Sequence, residues 1–183
     1  MAETYNAITG LNGADNMGGY SSRLAWIPAN AVSDVPKIPS EIVTDADYST
    51  AVGTFVFKDA VAGKPIGIEA TDGTVKYSAP SQGELEGKSF APQGEFFRAG
   101  SKIEYAAAAR KFNNTPGYLV LQDPNTGKQL LVGQPGLPCN LTAEYDGGQK
   151  RADRRGIKWA FAADSVTPFI YLQTPIDIDA LFE

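Results

Sequence analysis

Apolar residues in this chain occur in short runs separated by glycine, proline and Asp-Gly or Asn-Thr-Gly turns. This pattern of short apolar runs and frequent turns constrains the fold most strongly. Runs of about four to eight residues rich in Val, Ile, Phe and Tyr are typical of β-strands. The 19 Gly and 12 Pro favour frequent turns over long helices. We therefore predict about nine or ten strands. They lie within segments 23–27, 51–58, 65–70, 74–78, 84–98, 118–122, 129–132, 141–145, 156–162 and 169–172.

The dipeptide Asp72-Gly73 carries the strongest local signal in the sequence. It separates two alternating runs, 65–70 and 74–78. Asp-Gly between alternating apolar runs is typical of a tight β-hairpin, because both residues tolerate the backbone angles of a type I′ turn. We therefore predict that these two strands pair with each other.

Two further hairpins are predicted downstream. The turn 123–127 joins strands 118–122 and 129–132, and the polar segment 146–150 is predicted to be the tip of a longer hairpin. In the strand that follows this tip, Trp159 and Phe161 alternate with smaller or polar residues, as expected of a half-buried strand.

Only segment 101–111 is predicted to be helical. It contains the run of four alanines with the highest helix propensity in the chain, and Ser101 with Glu104 fits a capping box. The side chains predicted to share one face are Ile103, Ala106, Ala107 and Arg110. Many strands and one helix predict a mainly β fold, an antiparallel β-sandwich or barrel flanked by one α-helix, with long loops.

The chain is predicted to form a single domain over residues 1–183, because no linker or internal repeat is evident. Residues 1–22 contain four glycines and no apolar periodicity, so we expect an extended arm or loop there. The polar start lacks the apolar stretch of a secretory signal, and the longest apolar runs fall far short of the ~18 residues of a membrane span.

The sequence contains no histidine, which excludes His-dependent catalytic triads and His-based metal sites. The single cysteine, Cys139, cannot form an intramolecular disulfide and is predicted to be a buried apolar filler. We expect no enzymatic activity, no catalytic residue, no metal and no cofactor. The paired carboxylates are expected to be solvated surface charges, whose members share one face if their segments are strands: Asp45 with Asp47, Glu84 with Glu86, and Asp177 with Asp179.

The net charge of −5 disfavours attraction to nucleic acid, but the charge is unevenly distributed. A basic run surrounds Asp153, whereas segment 174–183 is acidic and has no basic residue. These opposed patches fit complementary surfaces between subunits, with a solvated loop as the alternative for the basic run. The candidate assembly contacts are Lys150, Arg151, Arg154, Arg155, Lys158, Asp177 and Asp179.

The layout of the chain from Asn113 onward resembles that of the major tail proteins of long-tailed bacteriophages, which form the tail tube. The shared features include the segment Glu84–Phe90, the Asn-Asn pair at 113–114, and the successive segments YLVLQ, LLVGQP, ADRRG and WAF. This resemblance implies a β-sandwich flanked by one helix, in subunits that form hexameric rings whose inner sheets build a continuous tube.

In that setting the partners are other copies of the chain, other tail or virion proteins, and phage DNA that passes through the lumen without specific binding. No membrane is involved, and the protein is expected in the virion after synthesis in the host cytoplasm. An acidic subunit suits a lumen through which DNA slides, because like charge suppresses phosphate contacts.

Three alternatives stay open at this point. One is another virion role, as a head decoration or head-tail joining protein. Another is a carbohydrate-binding β-sandwich module, in which Trp26, Tyr77 or Tyr118 stacks on sugars. The third is an enzyme with a paired-carboxylate cleft. The aromatic residues predicted to lie in the core are Trp26, Trp159, Phe161 and Phe169.

Overall fold

The computed structural model of the protein describes residues 8, 18–59, 64–150 and 153–183. These residues form fourteen strands and one α-helix, α1, at Ile103–Phe112. The first seven strands are β1 Arg23–Pro28, β2 Val32–Asp34, β3 Thr50–Ala51, β4 Val56–Phe57, β5 Ile66–Glu69, β6 Lys76–Ser78 and β7 Ser81–Gln82. The others are β8 Ser89–Phe90, β9 Gln93–Ala99, β10 Gly117–Gln122, β11 Gln129–Val132, β12 Asn140–Asp146, β13 Gly156–Ala162 and β14 Tyr171–Leu172. Short 3-10 helices occupy Ala29–Ala31, Asp45–Tyr48 and Asp179–Leu181.

Two principal sheets form a sandwich, which confirms the predicted mainly β fold with one helix. The larger sheet has six strands in the order β3-β14-β11-β10-β1-β5, and the smaller has four in the order β12-β13-β9-β6. Neighbouring strands are antiparallel except β14 and β3, which are parallel. Strands β2 and β4 form a separate pair, as do β7 and β8.

The main core lies between the two sheets. Trp26 and Leu119 contribute from the six-stranded sheet, and Phe96 and Trp159 contribute from the four-stranded sheet. Phe112 of α1 packs against both Trp26 and Trp159, with ring centroids 6.0 and 5.8 Å away. The helix therefore adds an aromatic side chain to this core and lies beside the edge strand β12.

A second core covers the opposite face of the six-stranded sheet. Ile27, Val120 and Leu131 point into it and pack against chain segments that precede β3 and follow β11. Because this sheet is buried on both faces, its central strands are continuous apolar runs without polar alternation.

The turn at Asp72-Gly73 forms, but the hairpin predicted around it is wrong. Strand β5 pairs with β1 in the six-stranded sheet, whereas β6 pairs with β9 in the four-stranded sheet. Thr71 and Thr74 flank the turn and bind β9, where Thr71 N–H donates to Phe97 O and Thr74 Oγ1 accepts from Phe97 N–H. The turn thereby carries the chain from one layer of the sandwich to the other.

The helix begins two residues later than predicted, and its buried face is different. Lys102 occupies the N-cap and makes no side-chain capping bond, so the expected capping box of Ser101 and Glu104 is absent. Ile103 is 85% exposed. The face turned to the core consists of Tyr105, Ala108, Ala109 and Phe112. The buried face has the same helical spacing as the predicted face, but it includes the aromatic residues Tyr105 and Phe112 in place of Ile103 and Arg110.

Other strand predictions have mixed outcomes. The hairpins β10–β11 and β12–β13 are confirmed, as is the alternation of Trp159 and Phe161. Segment 51–58, which was predicted as one strand, is divided between β3 and β4. Gly53 lies between them and has a φ of +103°, which interrupts the extended backbone. Phe169 is 41% exposed and does not belong to the core. Most of the predicted arm 1–22 lies outside the described residues.

Candidate assembly surfaces

The four-stranded sheet has a polar face that points away from the core. Along β13, Ile157, Trp159 and Phe161 are buried, while Lys158 and Ala160 between them are exposed. Strand register aligns the same alternation across the sheet. The side chains of this polar face are Lys76, Ser78, Gln93, Glu95, Phe97, Asn140, Thr142, Glu144, Asp146, Lys158, Ala160 and Ala162.

Charges on the polar face are paired with one another. Glu95 accepts from Lys158 Nζ at 2.6 Å on one neighbouring strand and from Lys76 Nζ at 3.2 Å on the other. These hydrogen bonds, from Lys158 first and then Lys76, lower the pKa of Glu95, and Glu95 in turn raises the pKa of Lys158. Glu144 lies directly opposite Lys158 on β12. Both lysines of the face are therefore neutralised by adjacent carboxylates.

Several side chains of the polar face are short, among them Ser78, Thr142, Ala160 and Ala162. Around Thr142, Ala160 and Ala162 they leave a broad shallow depression of about 440 Å³. In β9, Gly94 passes so close to the backbone of β6 that an added Cβ would meet Lys76 O and the Phe161 ring. Close strand packing and short side chains together give a wide, low-relief surface.

Two strands end the four-stranded sheet. On one side β12 has a seven-residue outer edge, and on the other side β6 has a three-residue outer edge. At the β12 edge, Ala143 N–H donates to Asn113 Oδ1 at 3.4 Å, next to the C-terminus of α1. An exposed edge strand offers backbone groups for pairing with another chain.

The basic run predicted from the sequence lies at one end of this sheet. The hairpin loop between β12 and β13 is held by Asp153, whose Oδ2 accepts from the backbone N–H groups of Gln149 and Lys150 at 3.0 and 2.7 Å. The Arg154 guanidinium lies 4.9 Å from the ring centroid of Phe97. Arg155 is exposed, and Arg151 lies outside the described residues.

Phe97 and Arg154 line an open recess of about 390 Å³, here called the Phe97 recess. Its other lining residues are Asp72, Gly73, Thr74, Lys76, Glu95, Phe96 and Lys158. Phe97 is only partly buried, so an aromatic ring and an arginine are accessible side by side.

The hairpin of β7 and β8 projects from the opposite end of the sheet. Its base is anchored, because Phe90 forms a backbone bridge with Ser165 and Gln82 Nε2 donates to Asp164 Oδ1 at 2.7 Å. Its turn, residues 83–87, is fully on the surface and carries Glu84, Leu85 and Glu86. We call this turn the acidic tip.

The acidic residues predicted near the C-terminus already have partners within the chain. Asp179 Oδ1 accepts from Arg23 Nη1 at 2.7 Å, and Asp177 Oδ1 accepts from Ala180 N–H at 3.1 Å. Arg23 also lies over the ring of Phe182. These contacts tie the end of the chain to β1.

None of the three carboxylate pairs lies on a strand, so their members do not share one face of a strand. Asp45 and Asp47 lie in a 3-10 helix, where Asp47 forms a capping box with Thr44. Glu84 and Glu86 lie in the acidic tip, and Asp177 and Asp179 lie at the last 3-10 helix. Asp47 and Asp177 accept hydrogen bonds from nearby backbone N–H groups, whereas Glu84 and Glu86 are exposed.

The aromatic rings considered for sugar stacking do not form a platform. Trp26 and Tyr118 are buried, and the hydroxyl of the partly buried Tyr77 donates to Pro168 O. Stacking on a sugar requires exposed rings, so these three residues do not favour the carbohydrate-binding alternative.

Cys139 is fully buried, as predicted, and burial raises the pKa of its thiol to about 12.

Within the described residues, no helix has the length and apolar character needed to cross a membrane.

Sequence reasoning found Lys158 and the basic run but missed Glu95, Lys76 and Phe97. The usable signal was the alternation in segment 93–99, where Glu95 and Phe97 flank the buried Phe96. This alternation identifies Glu95 and Phe97 as residues of the polar face only when the pairing of β9 with β13 and β6 is known.

Comparison of the chain with protein-family models, with curated proteins and with solved structures finds no match. The function is therefore inferred from the surfaces described above.

Proposed function

We propose that the protein is a structural subunit of a phage virion, the tail tube protein, which polymerises as stacked hexameric rings that form a conduit for DNA. The observation that carries this proposal is the four-stranded sheet. It buries one face against the rest of the sandwich and presents a low-relief polar face between its two edge strands, β12 and β6. The resemblance of the sequence to major tail proteins supports the same function.

In the proposed ring, the edge of β12 in one subunit lies beside the edge of β6 in the next. Pairing between edge strands extends a sheet from chain to chain through backbone hydrogen bonds. A closed ring of such sheets has no free edges, and its polar faces line a common lumen. The rest of the sandwich and α1 then lie outside the lumen.

The chemistry of the polar face suits contact with DNA that must keep moving. Protein–DNA affinity comes largely from cations that neutralise phosphates. On this face Lys76 and Lys158 are both bound to Glu95, and Glu144 and Asp146 add further negative charge. Because each lysine already has a carboxylate partner, the face offers little attraction for a phosphate backbone.

Electron microscopy of the concentrated purified protein, together with its mass from light scattering, tests this proposal. We expect long tubes with a regular axial repeat and an open lumen. A closed shell, or single rings that never stack at any concentration, contradicts the tube and supports a decoration or joining role. Neither the tubes nor the soluble subunit should retard duplex DNA in a gel at physiological salt.

A further inference from the structure

The sandwich has two side walls, one beside each edge strand of the four-stranded sheet. Helix α1 forms the wall next to β12. Loop 163–170 forms the wall next to β6, because Tyr77 Oη of β6 donates to Pro168 O. The same loop reaches the six-stranded sheet, where Leu131 N–H of β11 donates to Ile170 O. Since β12 and β6 are the two outer strands of one sheet, these walls lie on opposite sides of the molecule.

The wall formed by α1 contains an apolar cleft, here called the α1 cleft. It lies between α1 and β5 and has a volume of about 300 Å³. The apolar side chains that line it are Ile66, Ile68, Ala108, Phe112, Trp159 and Phe182. Ligand pockets usually have volumes of about 300–1,000 Å³. The α1 cleft is at the lower limit of this range, so it suits one inserted side chain better than a large ligand.

The charges at the rim of the α1 cleft are satisfied within the chain. Arg98 Nη2 lies 3.1 Å from Glu69 Oε2, and Arg98 Nε donates to Tyr105 Oη at 3.0 Å. These are the two charged residues that line the cleft, and they are paired with each other. A charged or polar group inserted into the cleft would lose its hydration without gaining a partner. The cleft therefore favours an apolar occupant.

The opposite wall presents two apolar side chains to solvent. Val166 is 67% exposed, and Phe169 is 41% exposed. Thr167 lies between them and is buried. Its N–H donates to Ser165 Oγ at 3.2 Å, and its Oγ1 donates to Phe169 O at 3.4 Å. The loop is thus held by its own hydrogen bonds with an aromatic ring at the surface, and aromatic residues are enriched at protein interfaces.

We propose that Phe169 of one copy of this chain, with Val166 beside it, docks into the α1 cleft of a second copy. The contact rests on the proposed function, because a ring that sets β12 of one subunit beside β6 of the next also brings α1 toward loop 163–170 of that next subunit. It lies behind the four-stranded sheet, away from the channel. It gives the ring an apolar layer outside the strand pairing.

The occupant is a second copy because one chain carries both halves of the contact on opposite walls. The four strands of the sheet span three spacings of about 4.8 Å, about 14 Å in total, and the main core lies behind them. Phe169 is therefore separated from the α1 cleft of its own chain. The contact joins two different surfaces, so it is heterologous, and the rotation of a ring closes it.

Cross-linking of the double variant I66C/V166C tests the docking. Ile66 lines the α1 cleft, and replacing Val166 leaves Phe169 in place. Treatment of the assembled variant with a short bismaleimide should give a ladder of covalent oligomers that ends at the hexamer. The single variants I66C and V166C are the matched controls. They should stay monomeric, because Cys139 is fully buried and does not react.

Sedimentation velocity gives an independent test. Phe169→Glu should weaken self-association at least about ten-fold, because it places a carboxylate against an apolar cleft. The matched control is Val56→Glu, which changes an apolar residue of similar exposure, 47%, in β4 and should associate like the wild type. Wild-type association by Phe169→Glu, or equal weakening by both variants, overturns the docking. The ladder decides for a wild type that is monomeric at equilibrium, since cross-linking captures brief contacts.

The outcomes separate the docking from the proposed function. Tubes in the microscope without a cross-linked ladder overturn the docking and leave the tube intact. A ladder that continues past the hexamer, or that forms without tubes, supports the docking and overturns the stacked hexameric rings. Absence of both the ladder and the tubes overturns both proposals.

Discussion

The central strands of the six-stranded sheet are buried on both faces, whereas the four-stranded sheet buries one face and exposes the other. In β11, all four residues from Gln129 to Val132 are buried, and its neighbour β10 is buried over five consecutive positions. In β13, buried and exposed residues alternate from Ile157 to Ala162. One sheet therefore serves as the scaffold, and the other is free to present a surface.

The difference also separates two kinds of stabilisation. Large side chains of the scaffold sheet each contribute roughly 1.5–3 kcal/mol through burial. Charges on the polar face of the other sheet are exposed to solvent and contribute much less. The polar face can therefore be adapted to a partner with little cost to folding.

The largest expected effect comes from truncating neighbouring residues in each sheet. Leu130 is buried in the main core, and Leu131 is buried in the second core on the opposite face of the sheet. Leu130→Ala and Leu131→Ala should therefore each lower the free energy of unfolding by about 2–5 kcal/mol. In β13, Trp159→Ala should cost about 3–5 kcal/mol, whereas its neighbour Ala160→Ser should change the value by less than about 0.5 kcal/mol. Urea unfolding measures all four variants. A negligible effect of Leu131→Ala would show that the outer core is not tightly packed.

A smaller effect is expected where the two strands of the presenting sheet approach most closely. Gly94→Ala places a methyl group against Lys76 O and the Phe161 ring, and such overpacking costs about 1–3 kcal/mol. Gly87→Ala, with only distant contacts, is the matched control. Urea unfolding of Gly94→Ala at the wild-type midpoint would contradict the close packing of β6 on β9.

The smallest effect concerns the charge pairing on the polar face and depends on pH. The pKa of Glu95 is lowered in the folded protein, mainly by hydrogen bonds from Lys158 and Lys76. Its contribution is therefore present above the unfolded value of about 4.3 and is lost as the pH falls through the lower folded pKa. Glu95→Gln should be less stable than wild type at neutral pH, and the difference should disappear in acid. Urea unfolding across this range measures it.

The control is Glu84→Gln, which removes an exposed carboxylate that forms no ion pair with the described residues, and it should unfold at the same urea concentration as the wild type. A difference for Glu95→Gln that stays constant down to strongly acidic pH would show that Glu95 acts through packing and not through its charge.

Much of the fold is predictable from local patterns. The hairpin around 123–127 is recognisable because Asp123 accepts from Asn125 N–H and Thr126 Oγ1 within the turn itself. The alternation of Trp159 and Phe161 is equally local. Both features depend on residues close in sequence, which is why sequence reasoning predicts them correctly.

What the sequence does not reveal is which strands become neighbours. The Asp72-Gly73 turn has hairpin chemistry, yet its flanking strands enter different sheets because Thr71 and Thr74 bind β9. The helix face shifts because Tyr105 and Phe112 fill more space than Ile103. The Glu95 pairs depend on the same long-range neighbours, and for that reason the polar face could not be predicted.

The central claim is that the polar face of the four-stranded sheet lines a lumen. A cryo-electron microscopy reconstruction of the assembled protein tests it most directly, at a resolution that separates the strands. The account predicts a tube in which Glu95, Lys158 and Ala160 face the channel, and β12 of each subunit lies beside β6 of the next. A tube whose channel is lined by any other face of the sandwich would contradict it.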